Sequence, residues 1–83
     1  MGNSGISFIG FISDVQERVA KNKKKYILSV IRDVESGIDY RVMYWSESIK
    51  KYLPTINKGG IFIIEKPDEK YGTSCIKNFV ELN

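Results

Sequence analysis

The chain has 83 residues, 42% of them hydrophobic and 28% charged, and a net charge of +3; that is too short for two domains and gives one globular domain with a modest core. It holds no histidine and one cysteine, Cys75, which excludes an internal disulfide, histidine-based zinc sites and the Ser–His and Cys–His nucleophile pairs. No apolar run approaches the roughly 18 residues of a membrane span, and the first residues have neither a basic lead nor a small-residue cleavage site. The expectation is a cytoplasmic protein that is not an enzyme, needs no cofactor or metal, and has no membrane partner. Residues 1–5 read as a flexible lead and 6–83 as the domain.

ISFIGFI, from Ile6 to Ile12, is apolar on both parities and rich in β-branched and aromatic residues, which predicts a strand that continues more weakly through SDVQERV. Gly10 in its middle predicts a bend or bulge, because a glycine there gives up packing to permit curvature. YILSVIRDV, Tyr26 to Val34, is a second strand; the ESG turn at 35–37 leads into a third, IDYRVMYW, from Ile38 to Trp45. SESIKKYLP reads as a short helix capped by Ser46, with Glu47 at its positive end, Ile49, Tyr52 and Leu53 on one face, and Pro54 as the stop. After the INKGG turn, IFIIE from Ile61 to Glu65 is a fourth strand. KPDEKYGT is an exposed loop, and SCIKNFVEL from Ser74 to Leu82 is a fifth strand.

Three meandering strands, a helix and two more strands leave exposed edges unless the sheet curls shut, with the helix plugging one end. The fold class is therefore all-β with one short helix, a five-stranded OB-fold barrel in the order β1-β2-β3-α-β4-β5. An SH3-like barrel is the rival, though such barrels do not normally insert a helix at that point.

FIGFISDVQERV resembles the opening strand of bacterial single-stranded DNA-binding proteins: an apolar run, a glycine, a further apolar residue and an acidic segment. YRVMYWSESIKKYLPTINKGGIFIIE is similar to that family's third strand, helix and fourth strand, with an aromatic before the helix and a Lys-Gly turn ahead of an apolar strand ending in glutamate. The likeness covers roughly residues 6–82 and is to a compact, phage or mobile-element kind of protein without the glycine-rich tail and acidic tip. Lys66 stands where the family usually has glycine, and Asp39 where the pattern expects an aromatic. The resemblance implies single-stranded DNA binding in replication or recombination, on the face of the third strand that carries Arg41 and Trp45.

Single strands are held by basic grooves along the phosphates and by aromatic platforms under the bases. On the third strand Tyr40, Val42 and Tyr44 are expected inside, leaving Asp39, Arg41, Met43 and Trp45 outside. On the first, Ile6, Phe8, Gly10 and Ile12 go inward and Ser7, Ile9, Phe11 and Ser13 outward. On the second, Leu28 and Val30 are placed inward, Ser29 and Ile31 outward and Arg32 near the rim.

The first loop carries Arg18, Lys21, Lys23, Lys24 and Lys25; the fourth carries Lys66, Lys70 and Tyr71. In an OB-fold these loops flank a cleft between the second and third strands. The candidate contacts are thus Trp45, Tyr71 and Phe11 for stacking, and Arg41, Arg32, Lys23, Lys24, Lys25, Lys66 and Lys70 for phosphates.

Blander readings run alongside: a lysine-rich tip is often merely solvated, and Trp45 and Phe11 are of types that fill small cores. Cys75 reads as a buried filler. An RNA-binding barrel is an alternative partner class. Another is an assembly module using Ile9, Ile31, Ile61 and Ile63, and the doubly apolar first and fourth strands favour a homo-oligomer, with a dimer the expected state.

Overall fold

The computed structural model describes residues 5–82. Five strands and one helix follow the chain as β1 (Gly5–Val19), β2 (Lys25–Asp33), β3 (Asp39–Trp45), α1 (Ser46–Lys51), β4 (Gly59–Glu65) and β5 (Thr73–Glu81). Gly5, placed in the lead by sequence, already belongs to β1; the rest of that lead, residues 1–4, lies outside the described residues.

β1 is shared between two halves of the sheet. Gly5–Phe11 pairs with β4 and Gly10–Val19 with β2, both antiparallel. Since β2 pairs with β3, β3 runs parallel to β5, and β5 pairs with β4, the order β1-β2-β3-β5-β4 returns to β1, the β3–β5 closure being short, Arg41–Met43 against Thr73–Cys75.

Gly10 sits at the changeover, opposite both Asp33 and Gly60. The register irregularity expected at Gly10 lies instead between Ile12 and Asp14. What requires glycine at position 10 is crowding, because a Cβ there would run into the Arg32 carbonyl oxygen.

The interior is filled by Phe8, Ile12, Ile31, Val42, Tyr44, Phe62, Ile64 and Ile76. Phe8 stacks on Tyr40 at 4.8 Å and Phe62 lies 4.7 Å from Phe79, centroid to centroid. Each such side chain stabilises by about 1.5–3 kcal/mol when fully buried. Val42 and Tyr44 are inside as their parity predicts, and so are Phe8 and Ile12 of β1.

β2 is turned the other way from the expectation. Ile31 is fully buried in the core, and Ser29 beside it is equally buried. The register explains this, since Ser29 faces Val42 and Ile31 faces Tyr40, and residues opposite each other in a ladder share a face. Val30 and Leu28 therefore share the outer side with Arg41 and Met43, but Leu28 is itself buried there, at 8% exposure, so for it the expected burial holds while the expected face does not. The sequence misleads because β2 is apolar on both parities and its one small polar residue, Ser29, goes inside.

The helix is shorter than its sequence pattern. It spans Ser46–Lys51, and the N-cap is Trp45, with no side-chain cap bond, so Ser46 does not cap it. Ile49 and Tyr52 pack against the core, but Leu53 is exposed because the helix ends before it. Cys75 is half-buried, not sealed inside: Ser74 and Ile76 take the interior of β5 and leave it opposite Met43.

Candidate functional site

The register arranges the outer side of β1, β2 and β3 in rows. The first holds Arg18, Tyr26 and Trp45; the next holds Gln16, Leu28 and Met43, with Cys75 beyond on β5. The third holds Asp14, Val30, Arg41 and Thr73, and the last Phe11, Arg32 and Asp39. Successive rows are about 7 Å apart, so the face runs about 20 Å from Tyr26 to Arg32.

At the Trp45 end a cleft of about 390 Å³ opens between two loops. Its floor is Leu28 and Met43, its flanks are Tyr26, Trp45 and Arg41, and its lips are Lys21 of the β1–β2 turn and Tyr71 of the β4–β5 loop. The Tyr26 and Trp45 rings lie 4.9 Å apart with planes inclined at 42°. An apolar floor with aromatic walls and cationic lips accepts a flat ring and an anion together.

Both loops are fixed by their own hydrogen bonds. In the β1–β2 turn the Lys23 amide donates to the Ala20 carbonyl at 2.9 Å and the Lys24 amide to Asn22 Oδ1 at 3.0 Å. Lys23 adopts a positive φ of 68° there. In the β4–β5 loop Asp68 Oδ2 accepts from the Lys70 and Tyr71 amides at 3.1 and 2.8 Å, while the Asp68 amide donates to the Thr73 carbonyl at 2.7 Å. These bonds hold the Tyr71 backbone beside the cleft, although the residue is 65% exposed. Lys70 Nζ lies 5.2 Å from that ring's centroid, within cation–π range.

Of the residues singled out by sequence, Trp45, Arg41 and Tyr71 meet in the cleft. Lys24 and Lys25 line a neighbouring depression with Trp45, Ser46 and Glu47, on the helix side of the same indole. Lys23 is exposed at the tip of the turn, and Lys66 is exposed just past Glu65 at the end of β4.

Phe11 and Arg32 are one row beyond Arg41, at the far end of the face. Arg32 is engaged there: its Nε donates to Asp39 Oδ1 at 2.8 Å and its second guanidinium nitrogen to Oδ2 at 3.2 Å. That hydrogen-bonded pairing raises the Arg32 pKa and lowers that of Asp39.

Tyr26, Leu28, Met43 and Lys21 complete the cleft but were not among the candidates. The inverted parity of β2 hid Tyr26, which the same error would have placed inside. Cys75 borders this region; burial foremost, and then the negative Glu65, push its thiol pKa up. Among the described residues no cluster of metal-ligating side chains occurs and no helix is long and apolar enough to cross a membrane. Comparison with protein-family models, with curated proteins and with solved structures finds no match for this chain.

Proposed function

We propose that the chain is an OB-fold protein that binds single-stranded DNA with little sequence preference, acting in replication or recombination in the cytoplasm and carrying out no catalysis of its own. The strand order, with the helix between β3 and β4, supports the fold assignment. The observation that carries the function is the convergence of Tyr26, Trp45, Tyr71, Arg41 and Lys21 on one cleft. Rings there stack on bases of any identity, and the cations meet phosphates.

Competition between matched single-stranded DNA, single-stranded RNA and duplex DNA in a gel-shift assay tests this. The proposal expects the DNA single strand to compete best. Preference for RNA would move the reading to an RNA-binding barrel, and no retention of any oligomer would remove it.

A second reading, assembly, has its own support on the part of the outer face formed by β1, β4 and β5. Ile9 pairs with Ile61 and Ile61 with Val80 on the outer face, and Ile9 and Val80 are 51% and 48% exposed. Ile63 adjoins them two residues along β4, whereas Ile31, expected in this group, belongs to the core. A homodimer through this patch is compatible with DNA binding over β2 and β3. Sedimentation of the wild type against Ile9→Lys decides it: a shift to monomer supports the dimer, and a monomeric wild type ends it.

A further inference from the structure

We infer that Asp39 marks the end of the single-strand track: its carboxylate fills the fork of Arg32 where a phosphate would otherwise sit, and confines a bound strand to the rows of Trp45, Met43 and Arg41. This rests on the nucleic-acid reading of the cleft. The two oxygens of Asp39 meet two nitrogens of Arg32 at 2.8 and 3.2 Å. That is the bidentate geometry by which a guanidinium grips a phosphate. The two residues are register partners at the ends of β2 and β3, so neither strand must bend to bring them together.

Arg41, one row nearer the cleft, is engaged by no carboxylate among the described residues. Two arginines on one face thus differ in availability. Arg41 is open to a ligand, while Arg32 is already occupied.

The charge distribution along the face points the same way. The turn at the Trp45 end carries Lys21, Lys23, Lys24 and Lys25 with no acid between them. The turn at the other end carries Asp33, Glu35 and Asp39 with no base between them. Asp33 is tied into that turn, its Oδ1 accepting from the Glu35 and Ser36 amides, which fixes its charge beside the Arg32–Asp39 pair, the latch that closes the track. A polyanion is drawn in at one end and repelled at the other.

The rows left open span about 13 Å from Trp45 to Arg41. The tract held by one protomer is therefore short, at the low end of the roughly 4–16 nucleotides that an OB-fold covers.

The test is equilibrium binding of a dT series spanning about 4–16 nucleotides to wild type, Asp39→Asn and the double variant Arg32→Gln/Asp39→Asn. Thermal melts first establish that each is folded; both side chains are about half exposed. Wild-type affinity is expected to level off at the short end of the series. Asp39→Asn is expected to go on gaining with length and to bind the longest oligomer about 2- to 5-fold more tightly, the worth of an exposed ion pair.

Its log–log salt dependence should steepen by about 0.7, the increment for one more phosphate contact on a single strand. The double variant should return to the wild-type slope. An unchanged slope in Asp39→Asn, or a steepening that survives loss of Arg32, overturns the latch while leaving the binding function intact. Failure of wild type to bind any member of the series would instead remove both.

Discussion

Tyr26 and Trp45 face each other across β2 and β3, their ring centroids 4.9 Å apart and their planes inclined at 42°. Neither ring belongs to the core cluster. The only tryptophan is therefore half-buried against a second aromatic at the wall of a cleft, available on one side to a flat ligand. Interior packing is left to Tyr44, Phe8 and Phe62.

Removal of the indole tests this placement. Trp45→Ala should weaken binding of a labelled dT oligomer by about 1–3 kcal/mol, the worth of one stacked base. Anisotropy titration of the folded variant measures it, and an affinity equal to wild type would take Trp45 out of the interface. Tyr26→Ala should follow in the same direction, since the tyrosine walls the same cleft.

The inverted parity of β2 makes a stability prediction that separates core from cleft. Ile31→Ala should cost about 2–5 kcal/mol in urea unfolding, as a fully buried aliphatic truncated to a cavity. In the native baseline it should leave oligonucleotide affinity unchanged. Leu28→Ala should reduce affinity as well as stability, because Leu28 floors the cleft and is itself only 8% exposed. Affinity lost in Ile31→Ala and kept in Leu28→Ala would mean that Ile31, not Leu28, faces the cleft.

Acid sensitivity should trace to the β2–β3 connection. Hydrogen bonding to Arg32 lowers the pKa of Asp39, and the Glu35 amide, with that of Ser36, lowers Asp33. Each carboxyl binds protons less readily folded than unfolded, so its stabilising contribution is complete above the unfolded value near 3.9 and is lost as pH falls through the lower folded value. Thermal melts from neutral pH to below about pH 4 should show wild type losing stability in that window, and Asp33→Asn or Asp39→Asn losing less. A variant with an acid limb as steep as wild type would contradict the assignment.

Cys75 should be a poor nucleophile. Burial and the nearby Glu65 raise its pKa, only partly offset by a hydrogen bond with the Trp45 side chain. The thiol therefore remains protonated at neutral pH. Alkylation by iodoacetamide, followed by mass spectrometry, should run slower than for an unhindered cysteine and accelerate as pH rises. Rapid labelling at neutral pH would show a thiolate that this environment does not favour.

How much of this was legible in the sequence depended on contrast between alternating positions. β3 alternates cleanly, with Asp39 and Arg41 marking one face and Val42 and Tyr44 the other, so its outer residues, Trp45 included, were placed correctly. β2 offers Ile27, Leu28, Val30 and Ile31, two on each parity, and its one uncharged polar residue, Ser29, is buried. Nothing local reveals the face; only pairing with β3 does. Tyr26 was lost from the candidate site for the same reason.

The loops fared better for placement than for use. Their lysines and Tyr71 were expected around a cleft, and Lys21 and Tyr71 line it. The occupancy of Arg32 was out of reach, because Asp39 lies seven positions away in the chain and becomes a neighbour only through strand register.

The most direct test of the account is quenching of Trp45 fluorescence by a dT oligomer, repeated at rising salt. With one tryptophan in the chain the signal reports the cleft alone. The account predicts saturable quenching that weakens log-linearly with salt, at a slope of about 0.7 per phosphate contacted, and that is blunted in Arg41→Gln. Fluorescence indifferent to the oligomer at low salt, in a protein whose melt shows it folded, would contradict the claim that this cleft receives a single strand.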